Sequence, residues 1–179
     1  KAEFFVFFQN EKLMKYILAF TLFLMKTNFV PNATVEKVDL RRYCGVWYSL
    51  YSLPTMFDRN TRETTGYYTL NTKGYFDVVT TYKKGNDEEV HSVKSKVFPV
   101  ANTNNAKLEA QFLWPYRVDY WIIELPEDYS YVVVGHPEYK FLFIMSRKKN
   151  MPQKQLDDII ARCKAKGYPV DKLSSQKHD

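Results

Sequence analysis

The sequence predicts an all-β fold, an eight-stranded up-and-down antiparallel β-barrel that forms a calyx, with one C-terminal α-helix packed outside. Short segments of alternating apolar and polar residues follow one another without long crossovers, which is typical of such barrels. The first segment opens with Gly45-x-Trp47, and the last one ends at Arg147. If the barrel closes, the Arg147 guanidinium stacks on the Trp47 indole, a cation–π contact worth about 0.5–2 kcal/mol. We therefore assign structural roles to Gly45, Trp47 and Arg147.

The strands are separated by turns rich in Gly, Asn and Pro. One example is Asn71-Thr72-Lys73-Gly74, which places Gly where a hairpin turn needs a positive φ. A short helical turn is expected over 38–43, and the polar stretch 55–65 is expected to be the longest loop of the domain. The predicted strands are 45–53, 66–70, 75–83, 89–98, 107–113, 119–125, 130–135 and 140–147.

Helical periodicity appears once, between Pro152 and Gly167, where Leu156, Ile159 and Cys163 recur at three- and four-residue spacing. Cys163 then lies roughly 15 Å along this helix, at about 1.5 Å per residue. The second cysteine, Cys44, is expected at the closed end of the barrel. A disulfide needs Cα atoms within about 7 Å of each other, so two separate buried thiols are favoured. A bridge is the alternative, because an even cysteine count in a secreted chain invites one.

Residues 1–33 are predicted to be an N-terminal extension that contains a signal peptide. Met14-Lys15 precedes the apolar run 16–25, and a short positive region followed by about ten apolar residues is typical of secretory signals. The run is shorter than the roughly 20 apolar residues that span a bilayer. We expect the natural start at Met14 and cleavage after Ala33, which leaves a domain over 34–179. The FFVFF stretch at 4–8 could instead extend an apolar anchor.

Composition and charge narrow the classes of binding partner to be expected. The chain carries 14 Tyr, 13 Phe and 3 Trp among its 179 residues, so rings must supply much of the buried area. Its formal charge of +6 is scattered over turns and strand faces and does not form a basic patch interleaved with aromatic residues. A solvated surface explains this distribution better than a nucleic-acid interface, so no nucleic acid is expected as a partner.

The stretch from Val38 to about Leu173 resembles the lipocalins, and within them the bacterial outer-membrane and plant temperature-induced group related to apolipoprotein D. The residues that carry the resemblance are Val38-Asp39-Leu40-x-x-Tyr43-x-Gly45-x-Trp47-Tyr48, Asp119-Tyr120-Trp121 and Ile144-Met145-Ser146-Arg147. The resemblance implies a calyx for fatty acids, lysophospholipids or similar amphiphiles. No cysteine stands near the end of the hydrophobic run, where the bacterial members carry their lipid anchor.

The two-residue period of strands predicts which side chains line this calyx, starting from Trp47 and Arg147 as inward-facing residues. On strand 89–98 the period is ambiguous, because Lys94 and Lys96 share a face with Phe98. A solid core without a cavity is the alternative, since eight strands stand at the size where either occurs. The predicted ligand-binding residues are Ser49, Tyr51, Tyr68, Phe76, Val78, Leu108, Ala110, Phe112, Tyr120, Ile122, Glu124, Val132, Val134, Phe141, Phe143 and Met145.

Glu124 carries two interpretations. It could meet a ligand headgroup or a lysine at the rim, or a one-residue slip could turn it out of the barrel, since a slip flips every side chain of a strand. The three histidines lack a second ligand at metal spacing, and no Ser–His–Asp arrangement can be argued. We therefore expect neither a metal, nor a cofactor, nor catalytic residues.

The expected function is non-catalytic binding and transport or storage of a small hydrophobic ligand by a secreted or periplasmic protein. The alternative is an enzyme of the same fold that acts on a bound lipid or isoprenoid. The protein is expected to be a monomer or a weak homodimer with possible peripheral membrane contact. Met56 and Phe57, in the loop expected beside the mouth, could gate the cavity or simply pack on its rim, and Arg59 and Arg62 could attract an anionic headgroup.

Overall fold

Eight antiparallel strands close into a barrel because the first strand pairs with both the second and the eighth. The computed structural model describes residues 30–55 and 59–178. The barrel and its helix belong to one compact unit, Asn32–Asp179. The strands are β1 (Gly45–Ser52), β2 (Thr61–Leu70), β3 (Phe76–Lys84), β4 (His91–Pro99), β5 (Lys107–Leu113), β6 (Tyr116–Glu124), β7 (Tyr131–Gly135) and β8 (Leu142–Ser146). The predicted up-and-down barrel is confirmed.

Two strands begin earlier than the alternation predicted. β2 starts at Thr61, because Thr61 and Arg62 pair with Lys84 and Lys83 of β3 inside the stretch expected to be a loop. A bulge between Arg62 and Thr65 breaks the alternation there, and Glu63 within it adopts a φ of 53°. β6 likewise starts at Tyr116, three residues before the predicted start.

A short helix, α1 (Leu40–Tyr43), leads into β1 and closes one end of the barrel. The Asp39 side chain caps it by accepting from the Arg41 backbone N–H at 2.8 Å. Trp47 is fully buried at this end, and its indole N–H donates to the Tyr43 carbonyl at 2.9 Å. The turn from α1 into β1 is thereby fixed to the first inward-facing side chain of the barrel.

Arg147 fastens the last strand to this same turn. Its guanidinium carbon lies 3.6 Å from the Trp47 ring centroid. The guanidinium also donates to the carbonyls of Val46 at 2.8 Å, Arg42 at 2.8 Å and Tyr43 at 3.2 Å. Gly45 has a φ of 99°, and a Cβ there would stand 3.4 Å from the guanidinium. The predicted contact across the barrel seam therefore forms, with hydrogen bonds to three carbonyls in addition.

The outer helix, α2 (Gln153–Ala165), covers one side of the barrel as predicted. Its residues Leu156, Ile159 and Cys163 are buried against the outer face of the wall. Their barrel-side partners in this outer cluster are Leu53, Ile123, Val133, Leu142 and Ile144. Among the described residues, none of the helices is both long and apolar enough to span a bilayer.

The C-terminal segment adds a ninth strand that the sequence pattern did not reveal. β9 (Ser174–Ser175) pairs with Ser52 and Tyr51 of β1. The next residue, Gln176, is buried and bridges two strands: its N–H donates to the Leu50 carbonyl at 2.9 Å, and its own carbonyl accepts from the Glu63 N–H at 2.6 Å. This segment fills the seam between β1 and β2 beyond Tyr48, where their direct pairing ends.

Replacing Arg147 by Ala should lower the free energy of unfolding by about 1–3 kcal/mol, because three carbonyls lose their donor and the Trp47 face is uncovered. Urea denaturation at neutral pH measures the change. Arg117→Ala is the matched control, since Arg117 also stacks on a ring, that of Phe98 at 3.9 Å, but on the outer surface. Equal losses in the two variants would contradict the special role of Arg147.

Candidate functional site

The inside of the barrel, which we call the calyx, is lined by apolar and aromatic side chains. Twelve of the sixteen predicted ligand-binding residues pack in or against one inner cluster. They are Tyr68, Phe76, Val78, Leu108, Ala110, Tyr120, Ile122, Val132, Val134, Phe141, Phe143 and Met145. The structure therefore places these side chains on the inner face, as the alternation predicted. Their role in ligand binding stays a prediction.

Exposure of the inner face increases from one end of the calyx to the other. Trp47 and Phe76, at the closed end, are fully buried. Phe143 is half-buried although it belongs to the inner face. Near the open end, Val118 is 40% exposed and Phe112 is 61% exposed. The inner face is therefore most buried at the end that α1 covers, which we call the floor, and most exposed near the turn between β5 and β6, at the end that we call the mouth.

Tyr51 lies on the outer wall, so its predicted inward orientation is wrong. Ser49 pairs with the inward-facing Met145 of β8, but a register shift follows, and Tyr51 pairs with Ile144. The extra residue of the bulge reverses the alternation, as a one-residue slip does. Tyr51 consequently packs against the outer cluster beneath α2, while Ser49 stays buried beside Met145.

Glu124 also points outward, which excludes it from the calyx and corrects the prediction of a ligand-binding role. A register shift beyond Ile122 on β6 reverses the alternation before Glu124. Its carboxylate accepts from the Arg162 guanidinium of α2 at 3.1 Å and from the Tyr131 hydroxyl at 2.5 Å. Burial and the hydrogen bond to Glu124 raise the pKa of Tyr131 to about 12. Glu124 thus fastens the helix to the barrel.

The structure resolves the ambiguity on β4. Ser95 and Val97 are buried, and Val97 belongs to the inner cluster, whereas Lys94 and Lys96 are exposed. The ligand-binding residues predicted from the sequence did not include Ser95 or Val97. The sequence did contain a signal for the orientation of this strand. Lys94 and Lys96 share one face, and a strand face that carries two lysines is rarely the buried one.

Tyr43, Tyr68 and Tyr120 form a hydrogen-bonded cluster at the floor of the calyx, which we call the tyrosine cluster. The Tyr120 oxygen lies 2.8 Å from that of Tyr68 and 3.2 Å from that of Tyr43. Burial raises the pKa of Tyr68 to about 12 and raises those of the other two phenols well above their ordinary value. Tyr43 was recognised in the sequence only as part of a motif, because it precedes the first strand.

An exposed aromatic hairpin borders the mouth. β5 and β6 are joined by a tight turn at Trp114-Pro115, and we call residues 112–118 the mouth hairpin. Leu113, Trp114 and Tyr116 are 69%, 81% and 72% exposed. Phe112 belongs to this hairpin and does not lie in the buried inner cluster.

Arg62 is occupied by acidic partners and is not a free cation of the rim. It forms ion pairs with Glu63 and Glu88 and donates to the Gly85 carbonyl at 2.9 Å. Lys83 contacts the same carboxylates, at 3.0 Å and 2.7 Å. The expected attraction of a headgroup by Arg62 is therefore weakened by neighbouring acids. Met56 and Phe57, expected to gate the mouth, lie outside the described residues.

The two cysteines are free and lie in different parts of the fold. The Cys44 thiol donates to the Leu40 carbonyl at 3.3 Å in the closed-end turn. Cys163 belongs to α2 and is buried on the side of the helix that faces the barrel. Burial raises the pKa of its thiol to about 12. The raised pKa of Cys163 keeps its thiol protonated at neutral pH, and a protonated thiol is a poor nucleophile.

Three potential metal ligands come together on the turn between β3 and β4. One ligand atom each from Asp87, Glu89 and His91 lies within 4.8 Å of the others. The sequence analysis expected no site at His91. The two acids are exposed, and exposed acidic groups are common in proteins without a metal, so we assign no metal here.

The tyrosine cluster should make the protein less stable at alkaline pH. Below pH 10 the phenols are protonated in both states, whereas between pH 10 and about 12 the unfolded chain releases the Tyr68 proton and the folded protein keeps it. Stability therefore falls as pH rises, by about 1 kcal/mol at pH 11 for Tyr68. Urea denaturation at pH 8 and pH 11 checks this. Tyr68→Phe should reduce the loss, and a loss as large as in the unmodified protein would contradict it. The exposed Tyr67→Phe is the control.

Comparison with known proteins agrees with this architecture. The chain is 28% identical over 148 residues to temperature-induced lipocalin-1 of Arabidopsis thaliana, with 78% of each chain covered. It is 25% identical over 139 residues to the outer membrane lipoprotein Blc of Citrobacter freundii, again with 78% of each covered. The crystal structure of insecticyanin from the tobacco hornworm Manduca sexta superposes with a TM-score of 0.66 at 16% identity, covering 84% of this chain and 88% of insecticyanin.

The family model decides the assignment. A model of the lipocalin-like domain matches residues 38–178, which is most of the chain and includes every strand of the barrel, the outer helix and β9. The matched segment contains the Trp47–Arg147 contact and the calyx. The chain therefore belongs to the lipocalin-like family.

Proposed function

We propose that this protein binds small hydrophobic or amphiphilic molecules in its calyx and carries or stores them without chemical change. The observation that supports this most is the inner cluster of apolar and aromatic side chains, which is fully buried at the floor and borders exposed residues toward the mouth. Pockets that bind such ligands are concave, mostly apolar and supplied with few polar groups. Lipocalins bind small hydrophobic ligands, and this chain has the family's barrel.

Fatty acids, lysophospholipids and similar amphiphiles are the ligand class we infer, with the acyl chain in the calyx and a charged headgroup at the mouth. Among the described residues, no lysine, arginine, aspartate or glutamate is buried. A charge carried to the floor would lose its hydration, which is costly, and the N–H groups of Arg147 at that end already donate to three carbonyls. Insertion with the acyl chain first avoids that cost.

The alternative, an enzyme that acts on a bound lipid, has little support from the placement of the candidate residues. Glu124 lies on the outer wall in contact with α2, and Cys163 belongs to α2 itself. Cys44 belongs to the closed-end turn, where its thiol donates to a backbone carbonyl. An acid or a thiol of the kind proposed from the sequence would have to face the calyx to act on a ligand.

The mouth hairpin supports a transient contact with a lipid surface during ligand exchange. Leu113, Trp114 and Tyr116 project large apolar or aromatic surfaces beside the opening, where a ligand enters. Aromatic side chains with a polar edge suit the interface between headgroups and acyl chains. Contact of this hairpin with a membrane would let a lipid pass into the calyx with little exposure to water.

We further propose that the protein is secreted or periplasmic and is a monomer or weak homodimer.

The hydrogen bonds of Asn32 bear on where the mature chain begins. The Asn32 amide donates to the His136 carbonyl at 3.0 Å, and its oxygen accepts from the Tyr168 hydroxyl at 3.0 Å. These contacts favour processing that retains Asn32 over the expected cleavage after Ala33, which would remove it.

Calyx binding can be tested by filling the cavity. Ala110→Phe adds a ring to the inner face, where Ala110 is buried, and should weaken binding of a fluorescent fatty acid at least tenfold. Gln111→Phe is the control, since Gln111 is the next residue on the strand and faces the other side. Equal affinity in both variants, with thermal unfolding showing both folded, would contradict binding in the calyx.

The hairpin contact predicts a rate effect. Replacing Leu113 and Trp114 together by Ser should slow transfer of a fluorescent fatty acid to phosphatidylcholine vesicles by about threefold or more, with equilibrium affinity nearly unchanged, because the entry route and not the cavity is altered. Stopped-flow fluorescence measures the transfer. The control replaces Tyr67 and Val79, which are exposed at 44% and 37% on the barrel wall. Equal slowing by both double variants would argue against a specific role of the hairpin.

A further inference from the structure

The tyrosine cluster holds one more hydrogen-bond donor than its own hydrogen bonds use. Tyr43, Tyr68 and Tyr120 carry three O–H groups, each of which can donate once. Two hydrogen bonds join them, both at the Tyr120 oxygen. Within residues 30–55 and 59–178, no further hydrogen-bond partner of these oxygens occurs. Whichever way the two bonds run, one O–H lacks a protein acceptor in this part of the chain.

The tyrosine cluster lies in the inner cluster of the barrel. Tyr43 is fully buried under Trp47 and Phe76, with ring centroids 5.2 Å and 5.6 Å from its own. Tyr68 and Tyr120 belong to the inner face of the barrel and keep 7% and 6% of their surface accessible. A ligand that reached the floor along the inner face would therefore meet Tyr68 and Tyr120 before the fully buried Tyr43.

The surroundings favour a neutral acceptor over an anion. Burial raises the pKa of all three phenols, which shows that the site disfavours negative charge. Burial also lowers the pKa of His136, which packs on Phe141 at the inner face, so this imidazole is neutral at pH 7. The Arg147 guanidinium is already engaged by three carbonyls and the Trp47 face. A carboxylate at the floor would thus lose its hydration, and the N–H groups of the nearby cation, Arg147, are already used by these carbonyls.

We propose that the floor of the calyx is a recognition site for a neutral oxygen, a ketone, ester or amide carbonyl at the buried end of an otherwise apolar ligand. The inference rests on the proposed binding function and adds to it a second ligand type, oriented with its polar oxygen toward the floor. A fatty acid that enters acyl chain first leaves the donor unused. A ligand with a carbonyl at its leading end accepts the spare hydrogen bond and loses no charge hydration.

A pair of matched probes tests this. The first is 2-dodecanone, and the second is 2-methyl-1-dodecene, which replaces the carbonyl oxygen by a methylene group of nearly the same shape. Each displaces a bound fluorescent fatty acid from the protein at pH 7.5. The unmodified protein should bind the ketone about threefold to tenfold more tightly, as expected for one neutral hydrogen bond.

The decisive variant is Tyr68→Phe with Tyr120→Phe, because either single replacement leaves one of these two hydroxyls on the inner face. The double replacement leaves only the hydroxyl of Tyr43, which is fully buried under Trp47 and Phe76. This double variant should bind both probes equally. Tyr131→Phe is the control, since its hydroxyl bonds Glu124 on the outer wall, and it should keep the preference. The carbonyl stretching band of 2-dodecanone bound to the unmodified protein should also lie below its position in hexane, a reading that needs no variant.

The outcomes separate the two proposals. Failure to bind the fluorescent fatty acid would remove the calyx function itself and the recognition site with it. Binding of neither probe by a protein that does bind the fatty acid would overturn the recognition site alone. Equal binding of both probes by the unmodified protein, together with a carbonyl band unshifted from hexane, would overturn the recognition site alone and leave the calyx function intact. Retention of the ketone preference by a folded double variant would likewise overturn it.

Discussion

The fold depends on one contact across the barrel seam, that of Arg147 with the first turn of the chain. A sheet of eight strands has two free edges until β1 meets β8, and exposed edges invite wrong pairing. Arg147 ends β8 and donates to carbonyls on both sides of Gly45, while its plane covers the Trp47 indole. The guanidinium thereby joins the first and last strands at the floor. The closed end is consequently rigid, and the calyx has a defined depth.

The barrel wall separates two apolar layers, and bulges decide to which layer a side chain belongs. The inner cluster faces the calyx, whereas the outer cluster joins the wall to α2. The register shifts in β1 and β6 turn Tyr51 and Glu124 outward, where Tyr51 packs against the outer cluster and Glu124 bonds Arg162. The same irregularities that keep these polar groups out of the cavity provide the attachments of the helix. An apolar calyx and an anchored helix thus share a single structural cause.

The sequence predicts this architecture well because strand alternation and helical spacing are local properties. Twelve inner-face residues follow from the two-residue period once Trp47 and Arg147 are taken to face inward, and the contact between those two follows from barrel closure. The errors occur where the period fails. A bulge in one strand is defined by its partner, so Leu50 and Ile123 carry no local mark of the shifts beside them. Gln176 was equally hidden, since its bonds to Leu50 and Glu63 join residues distant in sequence.

The tyrosine cluster shows how a site can arise from three separate elements. Tyr43 comes from α1, Tyr68 from β2 and Tyr120 from β6, and only barrel closure brings their hydroxyls within hydrogen-bonding distance. Buried phenol hydroxyls need hydrogen-bond partners, and each of these three hydroxyls bonds at least one of the other two. Among the described residues, three hydroxyl groups share two hydrogen bonds, so every oxygen takes part in a bond but one hydrogen has no acceptor. The floor that Arg147 closes therefore carries phenol hydroxyls within a mostly apolar inner cluster, and their position at one end would orient a ligand along the calyx.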